Sequence, residues 1–174
     1  AADIVLRSSN VDFGLHRLIP FIDDNKNWRT EYHGEGLFIR LDNGELRSTG
    51  DFRQVEPLDN VPLIDRDLVN WKDYAYENGN FLQTPGTYAS SVIRDCMFGK
   101  CTFCRYNGPD LTFSMMSVER SLDEYERLIN EHGVKEIFDD SGVWYRGKEA
   151  RQFAQGIIDR GLHKKGGDLG INTR

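Results

Sequence analysis

The sequence has few cysteines, a deficit of positive charge and no long apolar run. Its only cysteines are Cys96, Cys101 and Cys104. Acidic residues outnumber lysine and arginine by 28 to 22, and this excess argues against a nucleic-acid surface or an anionic-membrane surface. No stretch approaches the roughly 18 apolar residues of a membrane span, and no signal peptide opens the chain. We therefore expect a cytoplasmic protein with small, soluble partners, in a compartment where clustered cysteines bind metals.

The cysteines lie in one stretch, which reads Arg-Asp-Cys-Met-Phe-Gly-Lys-Cys-Thr-Phe-Cys-Arg over residues 94–105. This C-x4-C-x2-C spacing can turn three thiolates toward one point, and soft thiolates suit iron–sulfur clusters or zinc. The alternative is three unrelated thiols, since a free cysteine is often simply buried. Their confinement to one segment favours a metal site.

The number of ligands narrows the kind of metal site. A plant-type two-iron ferredoxin needs a fourth cysteine, which the chain lacks. A structural zinc site also needs four ligands, and His132 or His163 would have to supply the last one. Three cysteines alone fit best a four-iron cluster in which one iron keeps an open position. A zinc-stabilised, non-catalytic binding module remains the alternative.

The phrase Cys-Met-Phe-Gly-Lys-Cys-Thr-Phe-Cys, followed by a helix and a strand ending in Asp139-Asp140, resembles the cluster loop of the radical S-adenosylmethionine (radical SAM) enzymes. It is most similar to the group that carries an N-terminal cobalamin-binding domain. The commoner family spacing is C-x3-C-x2-C, so this loop is one residue longer. Asp95 stands where related sequences usually have glycine.

The resemblance implies a set of cofactor contacts. The three cysteines would hold a 4Fe–4S cluster whose open iron binds the amino and carboxylate groups of S-adenosylmethionine. Phe103 would meet the adenine through its backbone, Asp139 and Asp140 would contact the methionine part, and Arg174 would reach its carboxylate. The two aspartates also suit a solvated turn or a helix N-terminus.

The same resemblance implies reductive cleavage of S-adenosylmethionine to start radical chemistry. A methyltransferase that uses cobalamin, bound outside this chain, and a cyclase are both open. The implied partners are a small-molecule or peptide substrate and an electron donor such as flavodoxin or ferredoxin, with no nucleic acid. No catalytic residue is assigned, because the acceptor-binding residues are expected on later strands.

The pattern after residue 87 predicts an α/β fold of order β-α-β-α-β with parallel strands. Ser117 is a predicted helix N-cap, and Gly133 and Gly161 are predicted helix stops. Three strands cannot close a barrel, so we expect the first part of a radical SAM TIM-like barrel. The predicted strands are 88–93, 134–138 and 169–172.

Earlier residues predict two further segments. Residues 1–25 resemble the tail of a Rossmann-like cobalamin-binding domain, with a helical stripe at Leu15, Leu18, Ile19 and Ile22 that Pro20 should shorten. Residues 26–87 are predicted to be a linker with a β-hairpin that turns at Asp42-Asn43-Gly44. Residues 88–174 would be the truncated barrel. We expect the chain to be an internal fragment that is inactive alone.

Overall fold

The computed structural model describes residues 2–6, 11–51, 57–77, 81–90, 92–104 and 113–172. The chain divides into two compact units, each with its own hydrophobic core. Unit 1 is Ala1–Glu56 with Asp95–Ser114, and unit 2 is Pro57–Arg94 with Met115–Arg174. None of the helices in the described ranges combines the length and the apolar character needed to traverse a membrane.

Unit 1 contains a three-stranded antiparallel sheet in the order β1-β2-β3. The predicted hairpin is confirmed, because β2 pairs with β3 and Gly44 in the turn has a φ of 87°, which glycine adopts without steric cost. The strand near the start of the chain joins the same sheet. The elements are β1 (Ile4–Leu6), α1 (Val11–Asp24), α2 (Trp28–Glu31), β2 (Leu37–Arg40) and β3 (Leu46–Ser48).

Helix α1 differs from the predicted stripe. Leu18 is buried against the sheet, whereas Leu15 and Ile19 are exposed. Residues four positions apart share a helix face, and the buried row here runs through Gly14 and Leu18 rather than through Leu15 and Ile19. Pro20 was expected to weaken or shorten the helix, but the helix continues past it to Asp24 and is not shortened there.

Unit 2 contains a parallel sheet with the strand order β4-β7-β8. The predicted β-α-β-α-β order and parallel pairing are confirmed, and the chain has an α/β fold. Closure into a barrel stays a prediction. The elements are α3 (Trp71–Glu77), β4 (Gly86–Ala89), β5 (Ile93–Arg94), β6 (Ser114–Met115), α4 (Val118–Asn130), β7 (Glu136–Asp139), α5 (Gly147–Asp159) and β8 (Asp168–Ile171).

The two faces of this sheet carry different residues. Successive strand residues point to opposite faces, so Ile137 and Asp139 share one face and Phe138 lies on the other. Ile137 is fully buried in the core that includes α4 and α5. On the opposite face the rings of Phe138 and Tyr88 meet edge-on, with centroids 5.6 Å apart. The side chain of Asp139 is therefore on the helix-covered face.

The first parallel strand begins and ends earlier than predicted. It spans Gly86–Ala89 rather than 88–93, because the Ser90 amide donates to the Glu124 carboxylate of α4 instead of to the next strand. The helix signals are confirmed. The Ser117 hydroxyl accepts from the Arg120 amide at 3.2 Å, and Gly133 follows α4 with a φ of 66°.

A buried ion pair fixes the same region. Arg66 and Glu124 lie 3.1 Å apart, with side chains 6% and 2% exposed. Arg66 also donates to the Tyr88 carbonyl at 2.6 Å. The pair therefore holds α4 against the end of β4 and against the segment before α3.

The proline-punctuated segment 57–65, predicted as part of a linker, begins inside unit 2. Leu58 is fully buried in its core, and the Asp59 carboxylate accepts from the Ser117 amide at 2.7 Å. Arg120 donates to the Val61 carbonyl at 2.7 Å. This stretch is thus packed against the start of α4. The domain limits predicted after residues 25 and 87 stay predictions.

Candidate functional site

None of the three cysteines is in a disulfide, and all three are half-buried. Cys101 and Cys104 bracket a single turn, in which the Cys104 amide donates to the Cys101 carbonyl at 3.1 Å. A sulfur outside any disulfide can lose its proton and ligate a soft metal centre.

The sulfurs are not gathered in this arrangement. Within the described ranges, no three side chains of histidine, cysteine, aspartate or glutamate lie close enough together to hold a metal ion. The cysteine segment belongs to unit 1, whereas Asp139 and Asp140 belong to unit 2. The number and chemistry of the donors fit an iron–sulfur cluster, but their placement in this structure does not form a finished cage.

The backbone before Cys96 explains an unusual residue. Asp95 has a φ of 62°, in the left-handed region that glycine enters freely and that aspartate tolerates better than most residues. Glycine, which the family resemblance leads us to expect at this place, would meet the same backbone requirement. The turn at Asp95 redirects the chain as it enters the cysteine segment.

Apolar side chains within the cysteine segment face solvent. Phe103 is 90% exposed, and Met97 and Phe98 are also exposed. The predicted adenine contact of Phe103 involves its backbone and stays a prediction. Its side chain makes this part of the segment accessible to a flat, apolar group.

The structure divides the predicted aspartate pair. Asp139 is fully buried, whereas Asp140 is exposed. Asp139 Oδ1 accepts both the amide and the hydroxyl of Ser141, at 2.9 and 2.5 Å. Its Oδ2 is buried without a hydrogen-bond partner among the described residues. Only Asp140 therefore presents a carboxylate that a ligand reaches directly in this arrangement.

Burial raises the pKa of Asp139 to about 6, and the Glu124 carboxylate adds to the rise. The hydrogen bonds from Ser141 act in the opposite direction and lower it, as does the nearby Val92 amide. Burial outweighs them because the charged form loses its hydration. Burial also raises the pKa of Tyr125, and Asp139 contributes to that increase.

Ser141, which the sequence interpretation missed, joins the ends of several strands. Its hydroxyl accepts from the Ile93 amide at 3.0 Å, and its carbonyl accepts from the Asn172 side chain at 3.1 Å. The Asn172 carbonyl accepts in turn from the Trp144 amide at 3.0 Å. An aspartate two residues before a serine is a turn signal that could have indicated the local bond to Asp139, but not the links to other strands.

Arg174 and His132 were also considered as site residues from the sequence. Arg174 lies outside the described residues. His132, considered as a zinc ligand, packs edge-on against Trp71 in unit 2 with ring centroids 5.3 Å apart. The described contacts thus give the zinc-held module no support.

Comparison with known proteins supports a relationship to the radical SAM enzymes, as the cysteine loop indicates. The chain is similar to the anaerobic magnesium-protoporphyrin IX monomethyl ester cyclase of Cereibacter sphaeroides, with 29% identity over 174 residues. This alignment covers 99% of the chain but only 27% of the cyclase, so the chain spans about a quarter of that relative's length. No family model and no solved structure matches the chain.

Proposed function

We propose that the protein is a radical SAM enzyme that holds a 4Fe–4S cluster through Cys96, Cys101 and Cys104. The observation that carries the proposal is a set of three cysteines outside any disulfide, the only cysteines of the chain, in one C-x4-C-x2-C segment. When bound, such a cluster supplies one electron for cleavage of a carbon–sulfur bond in S-adenosylmethionine. The similarity to the cyclase supports this class of function.

Cluster binding, in this proposal, draws the cysteine segment together. The segment has left-handed residues at Asp95 and Gly99, with φ of 62° and 52°, and a one-turn link between Cys101 and Cys104. Metal–thiolate bonds are strong enough to order a loop that is not preformed, and metal binding is then coupled to folding. Convergence of the sulfurs is therefore an expected result of loading.

The residues proposed to form the S-adenosylmethionine site take different roles. Asp140 is exposed and takes the ammonium group by a charge-assisted hydrogen bond. Asp139 is buried and shapes the turn that presents Asp140. Phe103 offers its backbone to the adenine, and Arg174 is proposed to bind the carboxylate.

The reaction is proposed to be ring formation on a small-molecule substrate, because the relative is named as a cyclase. Methyl transfer with cobalamin, bound outside this chain, is the other reaction that the family resemblance implies. Flavodoxin or ferredoxin would supply the electron. These are proposals, because the chain aligns with only 27% of the cyclase.

Anaerobic reconstitution of the full-length protein with iron and sulfide tests the cluster. We expect a brown protein with iron and acid-labile sulfide in equal amounts, and loss of both when any one of the three cysteines is changed to alanine. Met97→Ala is the matched control, because Met97 is exposed in the same segment but has no proposed ligand role. Full iron content in all three cysteine variants, or a colourless protein with stoichiometric zinc, contradicts the proposal.

A further inference from the structure

Ser141 is a fully enclosed serine at a crowded point of unit 2. It is 1% exposed, and both its hydroxyl and its main chain make hydrogen bonds. A serine hydroxyl has one proton. Because the Ile93 amide can only donate, the Ser141 oxygen must accept there and give its own proton to Asp139. The buried carboxylate thus orients the hydroxyl.

The hydrogen bonds of Ser141 reach three places in the chain that lead to predicted cofactor residues. Ile93 precedes Cys96 by three positions, Asp140 lies between Asp139 and Ser141, and Asn172 precedes Arg174 by two. The buried hydrogen bonds of the turn from Asp139 to Ser141 leave little freedom for Asp140, since a buried donor without an acceptor is costly.

We propose that Ser141, oriented by Asp139, is a positioning residue for S-adenosylmethionine binding. It acts by tying the Ile93 amide and the Asn172 side chain to the turn that carries Asp140. This inference rests on the proposed function. It assigns to the first aspartate of the pair a role through Ser141 in place of direct contact.

Substitutions of Ser141 and of Asp139 disrupt different hydrogen bonds. Ser141→Ala removes the acceptor for the Ile93 amide, and Asp139→Ala removes the group that orients the hydroxyl. Asp139→Asn keeps an amide oxygen that can accept both hydrogen bonds from Ser141. The proposed positioning role of Ser141 therefore predicts weaker S-adenosylmethionine binding in the two alanine variants and unchanged binding in the asparagine variant.

A matched control is Ser121→Ala. Ser121 is also 1% exposed in unit 2, and its hydroxyl lies 2.6 Å from the Tyr145 hydroxyl, away from the strand ends. Its replacement by alanine also removes a buried, hydrogen-bonded serine hydroxyl. Any general effect of losing such a bond should appear in both serine variants.

The test measures S-adenosylmethionine affinity of the reconstituted full-length protein, together with iron content and exchange of the Ile93 amide. A tenfold change in affinity is 1.4 kcal/mol, which lies within the cost of leaving a buried donor without its acceptor. We expect Ser141→Ala and Asp139→Ala to weaken binding about tenfold at unchanged iron content and to speed Ile93 exchange. Asp139→Asn and Ser121→Ala should bind like the wild type.

Equal S-adenosylmethionine affinities in Ser141→Ala and Ser121→Ala would overturn the proposed positioning role of Ser141. A tenfold loss of affinity in Asp139→Asn would also overturn it. The asparagine variant keeps the test valid even where an alanine variant does not fold. Failure of the wild type to take up iron would refute the proposed function instead. The exchange rates of the Ile93 amide would still decide whether Ser141, oriented by Asp139, holds that amide.

Discussion

Asp139→Asn should change how stability depends on pH. The pKa of Asp139 is raised from 3.8 to about 6 by burial, so the folded protein favours the neutral carboxyl group. The stability that this group contributes is complete below the unfolded pKa and is lost as pH rises through the folded pKa. One pKa unit corresponds to 1.36 kcal/mol, so the difference amounts to about 3 kcal/mol over the full range.

Most laboratory measurements fall in part of that range. Between pH 8 and pH 5 the linkage relation gives a gain of roughly 1.4 kcal/mol for the wild type from this group alone. Asparagine is neutral at every pH and of the same size, so the variant should lack this gain. Other titrating groups are common to both proteins and cancel in the comparison.

Urea denaturation of both proteins at pH 5 and pH 8 measures the effect. The free energy of unfolding should rise by roughly 1.4 kcal/mol more in the wild type than in Asp139→Asn when the pH is lowered. A pH-independent difference between the two proteins would show that Asp139 does not titrate in this range. The reasoning from its burial would then be refuted.

Two further substitutions test the packing of unit 2. Glu124→Ala should destabilise the protein by about 3–5 kcal/mol in urea denaturation, because it leaves Arg66 buried without its partner, whereas Glu131→Ala, at an exposed helix pair, should cost less than about 1 kcal/mol; similar losses in both would contradict the role of burial. Gly156→Ala should destabilise by roughly 1 kcal/mol although alanine favours helices, because its Cβ would lie 2.2 Å from Leu122 Cδ1. The same change should stabilise a Leu122→Ala background, and a stabilising effect in the wild type would refute the close contact.

The sequence predicted the order of unit 2 because its signals are local. The Ser117 hydroxyl caps α4 by accepting from the Arg120 amide, three positions along the chain. Gly133 and Gly161 take the left-handed conformations expected at helix ends. Alternation and turn chemistry likewise placed the hairpin around Gly44. Each of these features depends on neighbours within a few positions of the chain.

The features that the sequence did not predict depend on distant partners. The first strand stops at Ala89 because Ser90 bonds to Glu124, 34 positions away. Asp139 and Asp140 read alike in sequence, and only the register of β7 shows which of them faces the helix layer. Ser141 carried no signal for its bond to Ile93, 48 positions away.

The cysteine segment reverses this relation between sequence and structure. Its spacing indicates a cluster site directly, yet the described side chains form no group that could hold a metal ion. Hydrogen bonds and apolar packing fix the strand ends around Ser141 without any ligand, whereas three thiols have no such attraction for one another. In the proposed function, strong bonds to an inorganic core would bring them together. The residues proposed to hold a cluster are therefore ones whose spacing is clear in the sequence and whose side chains are not gathered in this structure.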